Sequence, residues 1–214
     1  MKNKKALLAL LSSLITAPAL AEEVVPKPAA KGSVEVLAGD KSATLDSKLK
    51  VNLGSRFSLF FRSRTTVDYH NKSSYFGLLD VNVDCGYGID VFVEGRVISG
   101  KEVVPRVGIS YTGQLEDFGA ALLLTAATTD KPDLEIHPIW SYRPRLNDKL
   151  RLVVRGEDIT IFNKIGHNSS VQRLRTGIEV EGYQLGPGVD FKEVGQGRNL
   201  KFDYNVGGFV SKSF

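Results

Sequence analysis

The 214-residue chain has a single cysteine, Cys85, which excludes an intramolecular disulfide and any paired-cysteine metal site. Its three histidines, His70, His137 and His167, do not fall at ligand spacing, so no metal and no cofactor is expected. Charge of one sign is missing as well. The net charge is +4, and Lys2, Lys4 and Lys5 contribute three of those charges at the extreme N-terminus, leaving the remainder nearly neutral. A nucleic-acid partner, which needs a basic face, is therefore not indicated. After the first twenty residues there is no apolar run approaching the roughly 20 residues a membrane helix takes.

What the N-terminus does have is "MKNKKALLALLSSLITAPALA", the three parts of a secretory signal. The lysines form the charged region, Ala6 to Ile15 the apolar region, and Ala19-Leu20-Ala21 a small-residue cleavage site, predicting cleavage before Glu22. About ten apolar residues fall short of a bilayer span. Residues 22–55 open with the Pro- and Ala-rich "EEVVPKPAAK" and read as a flexible periplasmic lead, or as an N-terminal hairpin turning at Gly39-Asp40-Lys41-Ser42.

From Arg56 the dominant pattern is alternation, the period of a strand with two unlike faces. In "RFSLFFRSRTTVDYH" one face holds Phe57, Leu59, Phe61, Val67 and Tyr69, while the other holds Arg56, Arg62, Arg64, Asp68 and His70. "YFGLLDVNVDC" sets Leu79, Val81 and Val83 against Asp80, Asn82 and Asp84. "GIDVFVEGRVI" sets Ile89, Val91 and Val93 against Asp90, Glu94 and Arg96. The same rule gives ten strands, near 56–69, 74–84, 88–98, 104–113, 117–127, 133–143, 148–157, 170–182, 183–192 and 200–214. Connections after the odd-numbered strands read as long, "DITIFNKIGHNS" longest, and those after the even-numbered ones as mostly tight. The fold expected is all-β: a transmembrane antiparallel up-and-down β-barrel of about 10 strands over residues 56–214, or 12 if residues 33–52 add a hairpin.

A soluble barrel with an apolar cavity shows the same alternation. The membrane reading is favoured because the apolar face carries almost no charge and its aromatics gather at strand ends. Tyr69 and Tyr75 fall at one rim, and Tyr111, Phe118, Trp140, Tyr142 and Tyr183 at the other, as interfacial girdles do. The chain closes on "KFDYNVGGFVSKSF", with Phe202, Tyr204, Val206, Val210 and Phe214 on one face. This stretch resembles the C-terminal signal of bacterial outer-membrane barrels, and departs from it at Gly208 and Lys212. The resemblance implies outer-membrane residence, with the barrel-assembly machinery and outer-membrane lipids, lipopolysaccharide among them, as partners.

With the apolar face against lipid, the lumen receives Arg62, Arg64, Asp80, Asp90, Glu94, Arg96, Arg106, Glu135, Arg155, Glu157, Arg173, Arg175 and Glu179. Opposite charges in near balance fit a structural salt-bridge lattice, and equally a narrow porin-like pore tuned by Arg62, Arg64, Arg173 and Arg175. Two other classes stay open: an outer-membrane hydrolase and a soluble periplasmic lipid binder. Enzymatic chemistry is the lesser expectation. Its only foothold is His167 beside Ser169 and Ser170, with Asp158 nearby, in a stretch that reads as the longest loop.

Overall fold

The computed structural model describes residues 29–70, 72–195 and 200–214. The predicted signal segment 1–21 and the start of the lead lie outside the described residues. The described residues form twelve strands. They are β1 (Ala30–Gly39), β2 (Ser42–Asn52), β3 (Phe57–Asp68), β4 (Ser73–Gly86), β5 (Ile89–Ile98) and β6 (Val104–Leu115). Next come β7 (Phe118–Ala127), β8 (Leu134–Tyr142), β9 (Leu150–Asn163), β10 (Gly166–Val180), β11 (Tyr183–Val194) and β12 (Lys201–Ser213). Neighbours in sequence are neighbours in the sheet, and β1 pairs antiparallel with β12. The sheet is thus a closed up-and-down barrel with no free edge, which is what a lipid environment requires of β-structure.

The hairpin alternative for the N-terminal region is the one that forms. β1 and β2 follow the same rule as the rest, with Val34, Val36 and Leu45 exposed outward and Asp46 buried inward. Two of the tight turns owe their shape to a left-handed pair. Tyr87-Gly88 (φ 56° and 78°) and Glu181-Gly182 (φ 51° and 77°) have positive φ at both central residues, the twist a two-residue hairpin needs. Trp140 lies across Gly156, its direct partner on β9, where a Cβ would come within 2.4 Å of the indole.

Two expectations about the connections are corrected. First, residues 158–169 are not a loop: β9 and β10 continue through them to a two-residue turn at Lys164 and Ile165. Backbone pairing there outweighs the lack of an apolar-out pattern. Second, the rims are less unequal than the sequence suggests. The longest connection expected on the loop rim is only the two-residue turn at Lys164 and Ile165. The connection between β8 and β9 is tight as expected: pairing continues past Tyr142 through an Arg145–Arg151 bridge, the Leu146 amide donates to the Leu150 carbonyl, and the Asn147 side chain caps the amides of Lys149 and Leu150.

Of the residues expected to resemble a C-terminal signal, Phe202, Tyr204, Val206 and Val210 on β12 and Phe214 just after it are all exposed, whereas Phe209 between them is buried in the lumen. The Phe214 amide and carbonyl both bond to Gly32 of β1, so the last residue closes the ring. Lys212 reaches out of the apolar row. Its ammonium sits 3.8 Å from the centre of the Tyr183 ring and donates to the Glu181 carbonyl at 2.7 Å, keeping its charge at the rim.

Candidate functional site

The charged faces of β2, β3, β9, β10 and β11 converge halfway along the barrel. Glu157 of β9 is the hub. Arg62 of β3 donates to both of its oxygens, at 2.5 and 3.0 Å, Arg173 of β10 donates at 2.7 Å, and His137 of β8 bonds it at 2.8 Å. In a ring of twelve, β3 and β9 are diametrically opposite, so the Arg62–Glu157 pair crosses the whole lumen. Arg62 also forks onto Asp46 of β2, at 3.0 and 2.5 Å. Arg64 joins Asp46 to Asp190 of β11, and Arg175 joins Asp190 to Glu35 of β1, which also binds Arg155. Bidentate guanidinium–carboxylate pairs are rigid as well as strong, so the network is a septum rather than a loose brush.

A second lattice lines one wall. Arg96 of β5 bridges Glu94 at 2.7 Å and Glu135 of β8, and Arg106 of β6 binds Asp133 at 2.6 Å while donating to the Thr125 hydroxyl at 3.1 Å. Asp80 stands next to these groups, buried, with Oδ1 lacking a hydrogen-bond partner.

The septum divides the interior into two cavities. One is a cup of about 1190 Å³ reaching the rim of Tyr69, His70 and Lys72. The other, about 280 Å³, lies toward the chain ends and is lined by Ser33, Arg143, Gln184 and Ser213. Lys48, Ile139 and Arg173 line both, which places the dividing layer between them. The cup is not uniformly polar: Leu78, Leu123, Ile139, Ile159, Ile161 and Val171 form apolar stretches of its wall. At its mouth Lys41 donates to Asp203 at 2.9 Å, a hydrogen bond that raises the lysine pKa above its ordinary value.

Among the thirteen residues expected in the lumen, Arg62, Arg64, Arg155, Glu157, Arg173 and Arg175 belong to the septum, and Asp80, Glu94, Arg96, Arg106 and Glu135 to the wall lattice. Asp90, with Lys50 at 3.8 Å, and Glu179, bonded by Gln184 at 2.9 Å, lie apart toward the chain-end rim. Sequence reasoning missed Glu35, Asp46 and Lys48. Their signal was available in the alternation of "SVEV" and "TLDSKL". His167 and Ser170 are not in a loop but on β10, and Asp158 is on β9. Among the described residues no group of three or more His, Cys, Asp or Glu is arranged to hold a metal ion.

No protein-family model and no curated protein matches the sequence. Structural likeness is found instead. LpxR from Salmonella typhimurium superposes with a TM-score of 0.50 at 8% identity, over 85% of this chain and 99% of that one. The chain has the fold of a bacterial outer-membrane β-barrel. OmpT, an outer membrane protein of Vibrio cholerae, is similar at TM-score 0.40 and 9% identity, over 91% of this chain and 100% of that one. A bacterial polysaccharide outer membrane secretin gives 0.39 and 10%, over 86% and 97%. At such identities the likeness is one of fold alone.

Proposed function

We propose that the protein is exported to the outer membrane and serves there as a structural envelope barrel whose polar lumen is shut at mid-height, not as an open porin. The observation that carries this reading is the bridging of opposite walls by Arg62–Glu157, reinforced by Arg64–Asp190. A conducting path needs sites that an ion can enter and leave. Here each guanidinium is already matched to carboxylates, and opening a gap means parting buried ion pairs. Lipid surrounds the wall in this reading, and the assembly machinery reads the row from Phe202 to Phe214. Lys72, Lys101, Lys131 and Lys164 at the loop rim face the phosphates of lipopolysaccharide.

The test is conductance in planar bilayers of refolded protein, with insertion confirmed by protease protection. Wild-type protein is expected to be silent, and the double variant Arg62→Ala/Glu157→Ala to show discrete openings. Removing both partners avoids stranding one buried charge. Steady conductance by the wild type would overturn the sealed-lumen reading.

A further inference from the structure

The wall of this barrel that faces away from the lumen is mostly apolar, and its polar side chains are concentrated on the hairpin β9–β10 and the adjoining end of β11. There the alternation inverts. Ile159, Ile161 and Val171 face the cup, so Asp158, Thr160, Ser170 and Gln172 lie on the outer side, Gln172 exposed and Ser170 only 7% exposed between its neighbours. Polar and ionisable groups on a lipid-facing wall are costly and by default mark a functional site. In this case they also form a connected chain. The hydroxyl of Ser170 is 2.9 Å from Nε2 of His167, and Nδ1 of the same ring is 3.8 Å from Oε1 of Glu193. Glu193 lies directly opposite Ser170 on β11, and Thr160 directly opposite on β9. Thr160 Oγ1 is 2.9 Å from the Ser170 hydroxyl and 2.9 Å from Asp158 Oδ1.

The backbone is modified to make this possible. His167 and Ser170 are three apart, and in an unbroken strand they would point to opposite faces. A register shift between His167 and Ser169 makes Asn168 the extra residue, so His167 pairs with Phe162 and Ser170 with Thr160 on one face. Bulges that re-aim a side chain recur beside active sites. The Phe162 ring meets the imidazole edge to face, at 6.1 Å and 78°, and holds it in place.

We propose that Ser170, His167 and Glu193 form a hydrolytic site on the outward wall, near the loop rim, that cleaves carboxylic esters of membrane lipids. A serine, an imidazole and a carboxylate in this order are the parts of a nucleophile, its base and the group that orients the base. With the ring proton on Nδ1 toward Glu193, Nε2 accepts the Ser170 proton. Thr160 donates its one proton to Asp158, which leaves the Ser170 proton for Nε2 although the two hydroxyls stand 2.9 Å apart. Ser170 Oγ attacks the ester carbonyl carbon while its proton passes to Nε2. The carbon–alkoxy bond breaks and that proton leaves on the alcohol. Water next attacks the acyl-serine, giving its proton to Nε2, and the serine is restored as the fatty acid departs. Gln172, next outward on β10 and without a side-chain hydrogen bond among the described residues, supplies an amide donor for the carbonyl oxygen. The substrate class follows from place: a site on the lipid-facing wall meets acyl esters already in the membrane. Phospholipids and outer-leaflet glycolipids share that chemistry.

The full-length protein, refolded and checked for heat-modifiable mobility, is treated with a fluorophosphonate probe in vesicles. It is also assayed for fatty-acid release from phosphatidylethanolamine vesicles and, separately, from vesicles containing lipopolysaccharide. Labelling at Ser170 and release from either vesicle are expected, the responsive arm naming the lipid source. Ser170→Ala abolishes both, and His167→Gln lowers release by about 10³-fold or more. Glu193, which positions the base without touching substrate, acts on kcat, so Glu193→Gln lowers kcat with KM unchanged. Folded protein that takes no label and releases no fatty acid, or release equal in Ser170→Ala, overturns the proposal.

Discussion

Two carboxylates inside the barrel show how differently burial acts on one chemical group. Glu157 is met by Arg62, Arg173 and His137, whereas Asp80 Oδ1 is buried without a partner. Neutralising Glu157 would leave two guanidiniums facing one another out of reach of bulk water. Glu157→Gln is therefore expected to cost about 3–5 kcal/mol, the usual penalty for breaking a buried pair from one side. Asp80→Asn replaces a buried carboxyl oxygen that has no hydrogen-bond partner and is expected to be neutral or stabilising. Urea unfolding midpoints of the two variants in vesicles check the contrast, and the reverse order would show that Asp80, not Glu157, is the keystone. This part of the interior was half legible. Alternation tells which face a charge is on, so Arg62, Glu157 and Arg173 could be assigned to the lumen from sequence. It cannot tell that Arg62 reaches across to β9, because partners in a closed ring depend on strand number.

Strand number, in turn, depended on β1 and β2. Their alternation is short, and the Ala- and Lys-rich stretches around them resemble a linker, which is why ten strands and twelve both fitted the sequence. In the structure β1 accepts β12 along Ser33 to Gly39, and β2 pairs with β3 from Ser42 to Asn52. Deleting residues 29–52 would leave β3 and β12 as open edges facing lipid, each with a row of unmatched amides and carbonyls. It would also remove Glu35 and Asp46 from the septum. The truncated chain is expected to give no heat-modifiable band, while full-length protein refolded in parallel does. A compact truncated barrel would mean that ten strands can close alone. The hairpin β9–β10 was misread for the opposite reason. Its pairing is continuous apart from the bulge at Asn168, yet with Ile159 and Ile161 inward and Asp158 and Thr160 outward it violates the apolar-out rule by which strands were recognised. A stretch that breaks the rule of its fold reads as a loop, and here the break coincides with the Ser170–His167 contact.

The whole barrel has a direction, set by its ends. With twelve strands, Ala30 and Phe214 lie on one rim, shared with the turns at Tyr87-Gly88 and Glu181-Gly182. If the chain is exported as proposed, that rim is expected on the periplasmic side, with the cup opening outward. The lone cysteine reports on this. Cys85 is exposed and stands next to the β4–β5 turn, on the rim of the chain ends. A membrane-impermeant maleimide is expected to leave it unlabelled in intact cells and to label it once the outer membrane is permeabilised. A cysteine placed at Lys101, an exposed loop position between β5 and β6 on the other rim, should label in intact cells in a Cys85→Ser background. Inverted labelling would turn the barrel over, pointing the large cup at the periplasm and setting the Ser170 wall against the inner leaflet. The two labels therefore decide which leaflet supplies the esters that His167 and Ser170 can reach, independently of whether the septum conducts.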